Sequence, residues 1–339
     1  MTEAETTQPA EKPALAIHVA PSPHLATTSL TTRRMMVDVL IGLAPAVAMA
    51  VYMFRWDAVV QVGLCVLCCL AAELVFTRMH GKETSIGDYS AAVTGVILGL
   101  SLPTSAAWYI PVIGSLAAIG LGKAVFGGLG CNIFNPAMVG RAFVMLSFAK
   151  EMGASAYRVV NSQLDVLTQA TPLTAAKEVA KGAAESADLP GLWPLFVGNV
   201  NGSLGEISAV ALLIGGIYLC VRRVASWEIP AGTLLAALVC AGAADLAGLT
   251  PYSALHHLIS GALLLGAFFI ATDPVSSPLS GRGKFIFGLG VGVFVMLIRV
   301  LSGYPEGVMF AVLLMNAAVP LINRWTIPRP LGGPAPRKT

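Results

Sequence analysis

The chain has 339 residues, of which 56% are hydrophobic and only 12% charged, with a formal net charge of +3. A soluble domain carries about 25% charged residues, so this chain cannot clothe itself in polar surface and needs lipid as its solvent. The small net charge, with no basic cluster interleaved with aromatics, argues against a nucleic-acid partner; six cysteines without paired metal spacing argue against a disulfide scaffold or a zinc site.

Residues 1–32 are rich in Thr, Ala, Pro and Glu and contain no apolar core before Arg33 and Arg34, so they read as a cytoplasmic tail and not as a secretory signal. A helix crossing a hydrocarbon core of about 30 Å needs roughly 20 apolar residues. Ten segments approach that requirement: 36–54, 58–77, 89–102, 108–126, 136–148, 207–221, 230–249, 253–271, 285–302 and 307–323. The third and fifth are short, which is tolerated only where protein or a ligand satisfies the freed backbone groups. The expected fold is an all-α integral membrane protein of about ten spans. Its units are a tail (1–32), a five-helix unit (33–149), a long loop (150–206), a second five-helix unit (207–323) and a C-terminal tail (324–339).

Short loops containing Arg33, Arg34, Arg78, Lys82, Arg222, Arg223, Arg282, Lys284, Arg324 and Arg329 fall on one face when ten spans are threaded. Lys and Arg in short loops mark the cytoplasmic side. Both termini are expected there, with the long loop outside. The two units also resemble each other. Cys68, Glu73 and Leu74 align with Cys240, Asp245 and Leu246, while Lys123 before Gly127 aligns with Arg299 before Gly303. Five spans is an odd number, so a second copy must be inverted. Inverted repeats place sites near broken helices between the halves.

The loop carries the most specific short motif, Asp165, Thr168, Ala170 and Thr171 followed by Pro172. No helix or strand periodicity is evident there, and proline at 172 holds Thr171 extended. A hydroxyl held so, with a carboxylate nearby, can accept a phosphoryl ester; a plain polar turn is the other reading of the same residues.

This stretch resembles the flavinylation sequence of the NqrB/RnfD family of membrane flavoproteins. Further stretches look like signatures of the same family: Gly87 to Thr94, Leu100 to Pro103, Gly127 to Ala137, Ala271 to Pro278 and Tyr304 to Met309. Together they cover about 33–323, and the length and short N-terminal tail are nearer the RnfD branch. The resemblance implies covalent FMN, joined through its phosphate to Thr171, with Asp165, Thr168 and Ala170 as recognition elements. Gln169 stands where the family usually has glycine. It also implies an electron-relay component of a ferredoxin- and NAD-linked complex that moves Na+ or H+ across a bacterial inner membrane. The implied partners are other Rnf subunits, namely flavinylated, iron–sulfur and membrane subunits. A non-covalent riboflavin between the helices is a further implication. The alternatives are an NqrB-like component of a sodium-pumping quinone reductase and a urea-channel-like pore, and a passive pore has no use for a flavinylation sequence.

Other residues have both a chemical and a packing reading. Gly127, Gly128 and Gly130 allow close backbone approach, Asn132 and Asn135 offer amides, Lys123 is a candidate flavin partner, and Pro136 starts a half-helix whose N-terminus suits an anion. All are also explained as caps and turns. Glu73 and Asp245 lie inside apolar spans, where a carboxylate is by default a functional hypothesis; with Asp273 they are candidates for an ion path. Cys65, Cys68 and Cys69 read as small core residues, and His256 and His257 as a helix cap.

Overall fold

The computed structural model describes residues 31–81, 85–152, 158–161, 164–168, 171–182, 189–304 and 306–327. Ala170, Lys82, Arg329 and most of both tails therefore lie outside the described residues. The fold is helical. Five helices are long and apolar enough to cross a membrane: α1 (Thr32–Phe54), α2 (Trp56–Met79), α9 (Glu228–Leu246), α12 (Gly281–Leu301) and α13 (Val308–Thr326). Four shorter apolar helices accompany them: α3 (Ser90–Ser101), α4 (Tyr109–Ile119), α5 (Pro136–Ser147) and α8 (Ala209–Val221).

Local chemistry sets the ends of these helices. Thr31 caps α1 by accepting from Arg34 N, and the chain turns into α2 through Arg55 at φ +51°. Asp88 accepts from the backbone N–H and hydroxyl of Ser90 at the start of α3. Asn135 caps α5 ahead of Pro136 in the first helical position, where its missing N–H costs nothing. Ser208 and Ser280 cap α8 and α12 in the same way.

The short helices are completed by neighbouring chain. With 12 residues α3 spans about 18 Å, too little for a crossing, and eleven of those residues are buried. Its last carbonyls are met by the segment 201–208, which re-enters the bundle: Gly205 N donates to Leu100 O at 2.7 Å and Leu204 N to Leu102 O at 3.4 Å. This is the protein-satisfied backbone that a broken span requires. Helix α4 ends in a π-turn, Gly120–Ala124. The predicted eighth span is broken into α10 (Ala254–Ile259), a kink at Gly261 with φ +68°, α11 (Leu263–Leu265) and a second π-turn, Gly266–Ile270. Helix α2 packs on α3 and α4, and α9 packs on α10 and α12.

The loop before α8 departs from the expected absence of regular structure. It contains an antiparallel hairpin, β1 (Arg158–Asn161) with β2 (Leu164–Thr168), then α6 (Pro172–Ala180) and α7 (Leu192–Val197). Alternation in Leu164, Val166 and Thr168 is too brief to register as a strand signal. The tryptophans at 56, 108, 193, 227 and 325 are all exposed and all lie at or beside helix ends, the distribution of an interfacial aromatic belt.

Candidate functional site

Two polar constellations lie at opposite ends of the bundle. The first surrounds a cleft of about 770 Å³ beside the start of α1, with Met36, Val93 and Phe269 as apolar walls and Lys123, Asn132, Asn135 and Asp273 as polar groups. The structure thus brings together four residues that are scattered over 150 positions of sequence.

Each is fixed by its own partners. Lys123, in the first π-turn, donates to both oxygens of Glu73 at 2.7 and 2.9 Å and to Ser90 Oγ at 2.7 Å. Glu73 also accepts from the hydroxyl of Ser85. Asn135 is tied at three points: its Oδ1 caps Met138 N, its Nδ2 donates to Ile270 O in the second π-turn at 3.1 Å, and its backbone N–H donates to Asn316 Oδ1 at 3.3 Å. Asn316, on α13, donates in turn to Ser276 O at 2.8 Å. Asn132 donates to Phe134 O and contacts Asp273, whose carboxyl accepts from Val275 N and Ser276 Oγ. Burial raises Asp273 above the usual carboxylate range, with the hydrogen bonds from Ser276, Val275 and Asn132 opposing. Gly127, Gly128 and Gly130, next to the cleft, all adopt positive φ. Asp245 does not join this group, for it is exposed at the far end of α9.

The second constellation surrounds Thr171, whose hydroxyl caps α6: Oγ1 accepts from Thr174 N at 3.3 Å and lies 2.9 Å from Thr174 Oγ1. Thr171 is only 7% exposed and lines a cavity of about 250 Å³ with Leu195, Asn201, Glu206 and Gly261. Asp165 and Thr168 fall on β2, described by its backbone alone. A larger pocket of about 600 Å³ adjoins, sharing Leu173 and lined by Lys177, Lys181, His257 and Arg299. Lys177 donates to Ser302 O at 2.6 Å and to Tyr304 O; burial, then Lys181 and Arg299, lower its pKa from the usual ammonium value. Arg299 donates to His257 O at 2.6 Å and to Ser260 O at 3.0 Å, bracing the kink at Gly261. His256 and His257 bond Ser253 and Thr250 side chain to side chain; they lie in the last turn of α10, whose N-cap makes no side-chain cap hydrogen bond, so the expected capping role is not what they do.

Sequence reasoning missed Arg141, Glu206 and Asn316. Arg141 forms ion pairs with Glu306 at 3.0 Å and with Glu206 at 3.7 Å. An arginine inside a span as apolar as Pro136–Ser147 was the available signal.

Comparison with known proteins adds a family-level finding. Residues 18–332 match the model of the NQR2, RnfD, RnfE family. The chain is 42% identical over 320 residues to a component of the Na(+)-translocating ferredoxin:NAD(+) oxidoreductase complex of Acetobacterium woodii, covering 94% of this chain and 96% of that protein. It is 38% identical over 349 residues to a component of the ion-translocating oxidoreductase complex of Haemophilus influenzae strain PittEE, covering 92% and 97%. The corresponding protein of Halorhodospira halophila is 41% identical over 337 residues, covering 91% and 94%.

Proposed function

This chain belongs to the NQR2, RnfD, RnfE family, and from that premise we propose that it is the flavin-bearing membrane component of an ion-translocating ferredoxin:NAD oxidoreductase complex. Its own part is to hold FMN, esterified through phosphate to Thr171, and to relay electrons between partner subunits while Na+ or H+ crosses the membrane.

One observation carries the reading: the motif threonine stands at the N-cap of a nine-residue helix. The free N–H groups and dipole of a helix N-terminus favour a phosphate, so the ester would replace the cap that Thr171 Oγ1 now gives to Thr174 N. The crevice beside Thr171 is too tight for a phosphate while α6 is docked, and the adjoining pocket lined by Lys177, Lys181 and Arg299 is the nearer place for the flavin. Lys177, Lys181 and Arg299 would hold the ring there, their positive charge favouring the anionic reduced form. FMN supplies one- and two-electron redox chemistry; the chain supplies its position and electrostatics. Because Thr171 is buried against Gly261, attachment precedes the docking of α6 or requires α6 to lift.

The cleft at the other end suits a second, non-covalent flavin such as riboflavin: it has apolar walls and a few converging polar groups. Asp273 borders it, Glu73 adjoins it through its ion pair with Lys123, and these are the residues we assign to ion coupling; Asp245 stands apart from them. In this reading the start of α1 and the cleft face the cytoplasm, with α6 and Thr171 outside. An inverted pair of five-helix units accounts for the equivalent packing of α2 and α9 and for a basic residue near the end of each fourth helix, Lys123 and Arg299.

The test uses in-gel flavin fluorescence after denaturation, with a flavin transferase coexpressed. Wild type and Thr174→Ala retain the band, and Thr171→Ala loses it. A band that survives in Thr171→Ala removes the assignment.

A further inference from the structure

Four ionisable side chains from four parts of the chain meet beneath Thr171: Arg141 on α5, Glu206 in the re-entrant segment, Arg299 on α12 and Glu306 between α12 and α13. None is more than slightly exposed. Both oxygens of Glu306 are satisfied, Oε1 by Ala262 N at 2.6 Å and Oε2 by Arg141 Nη2 at 3.0 Å. Arg299 is committed to the carbonyls of His257 and Ser260. Glu206 is placed differently. Among the described residues its Oε1 receives no hydrogen bond, and the Arg141 guanidinium is 3.7 Å from that oxygen. Its carboxyl converges with that of Glu306 on the same Arg141 nitrogen, 3.7 and 3.0 Å away, and interacts with Glu306 and Ser203.

Two buried carboxylates in contact repel unless a proton lies between them, and such a pair titrates as one unit. We propose that Glu206 and Glu306 bind one proton as a pair, with Glu206 carrying it and donating to Glu306, and that they form a proton-binding site beside Thr171 at the junction of both helical units and the loop. The charges facing the pair are Arg141 from α5 and Arg299 from α12, with Lys177 of α6 and His257 of α10 behind Arg299. Burial and the neighbouring Glu306 raise Glu206 well above the usual carboxylate range, against the pull of Arg141 and a hydrogen bond with Ser203. Burial pushes Glu306 the same way, but Arg141, the hydrogen bond from Glu206, Arg299 and Ala262 N outweigh it and hold Glu306 below its usual value. The cavity against Thr171 and Glu206 gives room for the water through which a proton exchanges. With Glu206 neutral the four groups sum to +1, which a phosphodiester on Thr171 would offset; that clause alone rests on the covalent-flavin reading.

The sign of the pH effect follows by linkage. The folded protein keeps a proton that the unfolded chain releases above its ordinary value of 4.5. Stability fully present below that value is lost as pH rises toward the folded pKa. Thermal unfolding of the purified, flavin-free full-length protein tests this without reference to flavin. Glu206→Gln, which mimics the neutral acid, keeps Tm within about 2 °C of wild type near neutral pH and flattens the decline toward alkaline pH. Glu306→Gln lowers Tm by about 5 °C or more. Equal losses in the two variants, an unchanged pH slope in Glu206→Gln, or failure of Glu206→Gln to fold overturns the proposal. Infrared spectra of an otherwise unaltered Asp273→Asn protein decide independently: a carboxylic-acid C=O band persists at neutral pH and disappears on alkalinisation, and its absence at neutral pH overturns the assignment. The same results are expected with flavin attached, so a missing flavin and a missing proton are separate failures.

Discussion

Glu73 and Lys123 show what a single residue costs and secures in this bundle. Both are nearly fully buried, and Lys123 reaches both carboxylate oxygens as well as Ser90 Oγ. Removing one member of such a pair leaves an uncompensated buried charge, at a cost of about 3–5 kcal/mol. Lys123→Met should therefore lower the unfolding temperature in detergent, and the double variant Glu73→Gln with Lys123→Met should recover most of that loss. A double variant as unstable as the single one would show that the pairing is not what holds the π-turn. The intramembrane carboxylate was legible in sequence as an anomaly, because an acid in an apolar run demands a partner. Its partner was not legible: Lys123 is 50 residues away, and Arg299, with which it aligns in sequence, is placed by the structure on backbone carbonyls instead. Asp245 shows the converse, since its alignment with Glu73 made it a candidate and its exposure at the end of α9 separates it from the cleft.

Helices read better than the segments that complete them. The long helices follow from apolar length, and the caps at Asn135, Ser208 and Ser280 from side-chain chemistry. The closing of α3 by Gly205 and Leu204 was invisible in the sequence because it pairs backbone with backbone across about 100 residues. The link between α5 and α13 was equally hidden: Asn316 sits in an ordinary apolar helix, yet it accepts from Asn135 N and donates to Ser276 O. Replacing it by a similar-sized leucine strands both groups, each costing about 1–3 kcal/mol. Asn316→Leu should destabilise the protein by roughly that amount, read from thermal unfolding in detergent. A variant with wild-type stability would mean that the asparagine pair does not tie α5 to α13.

At the scale of the whole molecule, composition alone announced a membrane protein, and the set of motifs pointed to its family. Neither reveals that the two sites lie at opposite ends, one against Lys123 and Asp273 and the other against Thr171 and Arg299. The pattern of charges differs between them. The Glu73–Lys123 ion pair adjoins the cleft, while Lys177, Lys181 and Arg299 leave the pocket near Thr171 basic.

The proposed electron-relay role depends on the chemical state of one hydroxyl, and the mass of the tryptic peptide 159–177 from the complex purified out of a native membrane reads it directly. The prediction is a peptide heavier by one FMN less a water, with fragment ions placing the addition on Thr171. An unmodified peptide, or an addition on Thr168 or Thr174, would contradict it.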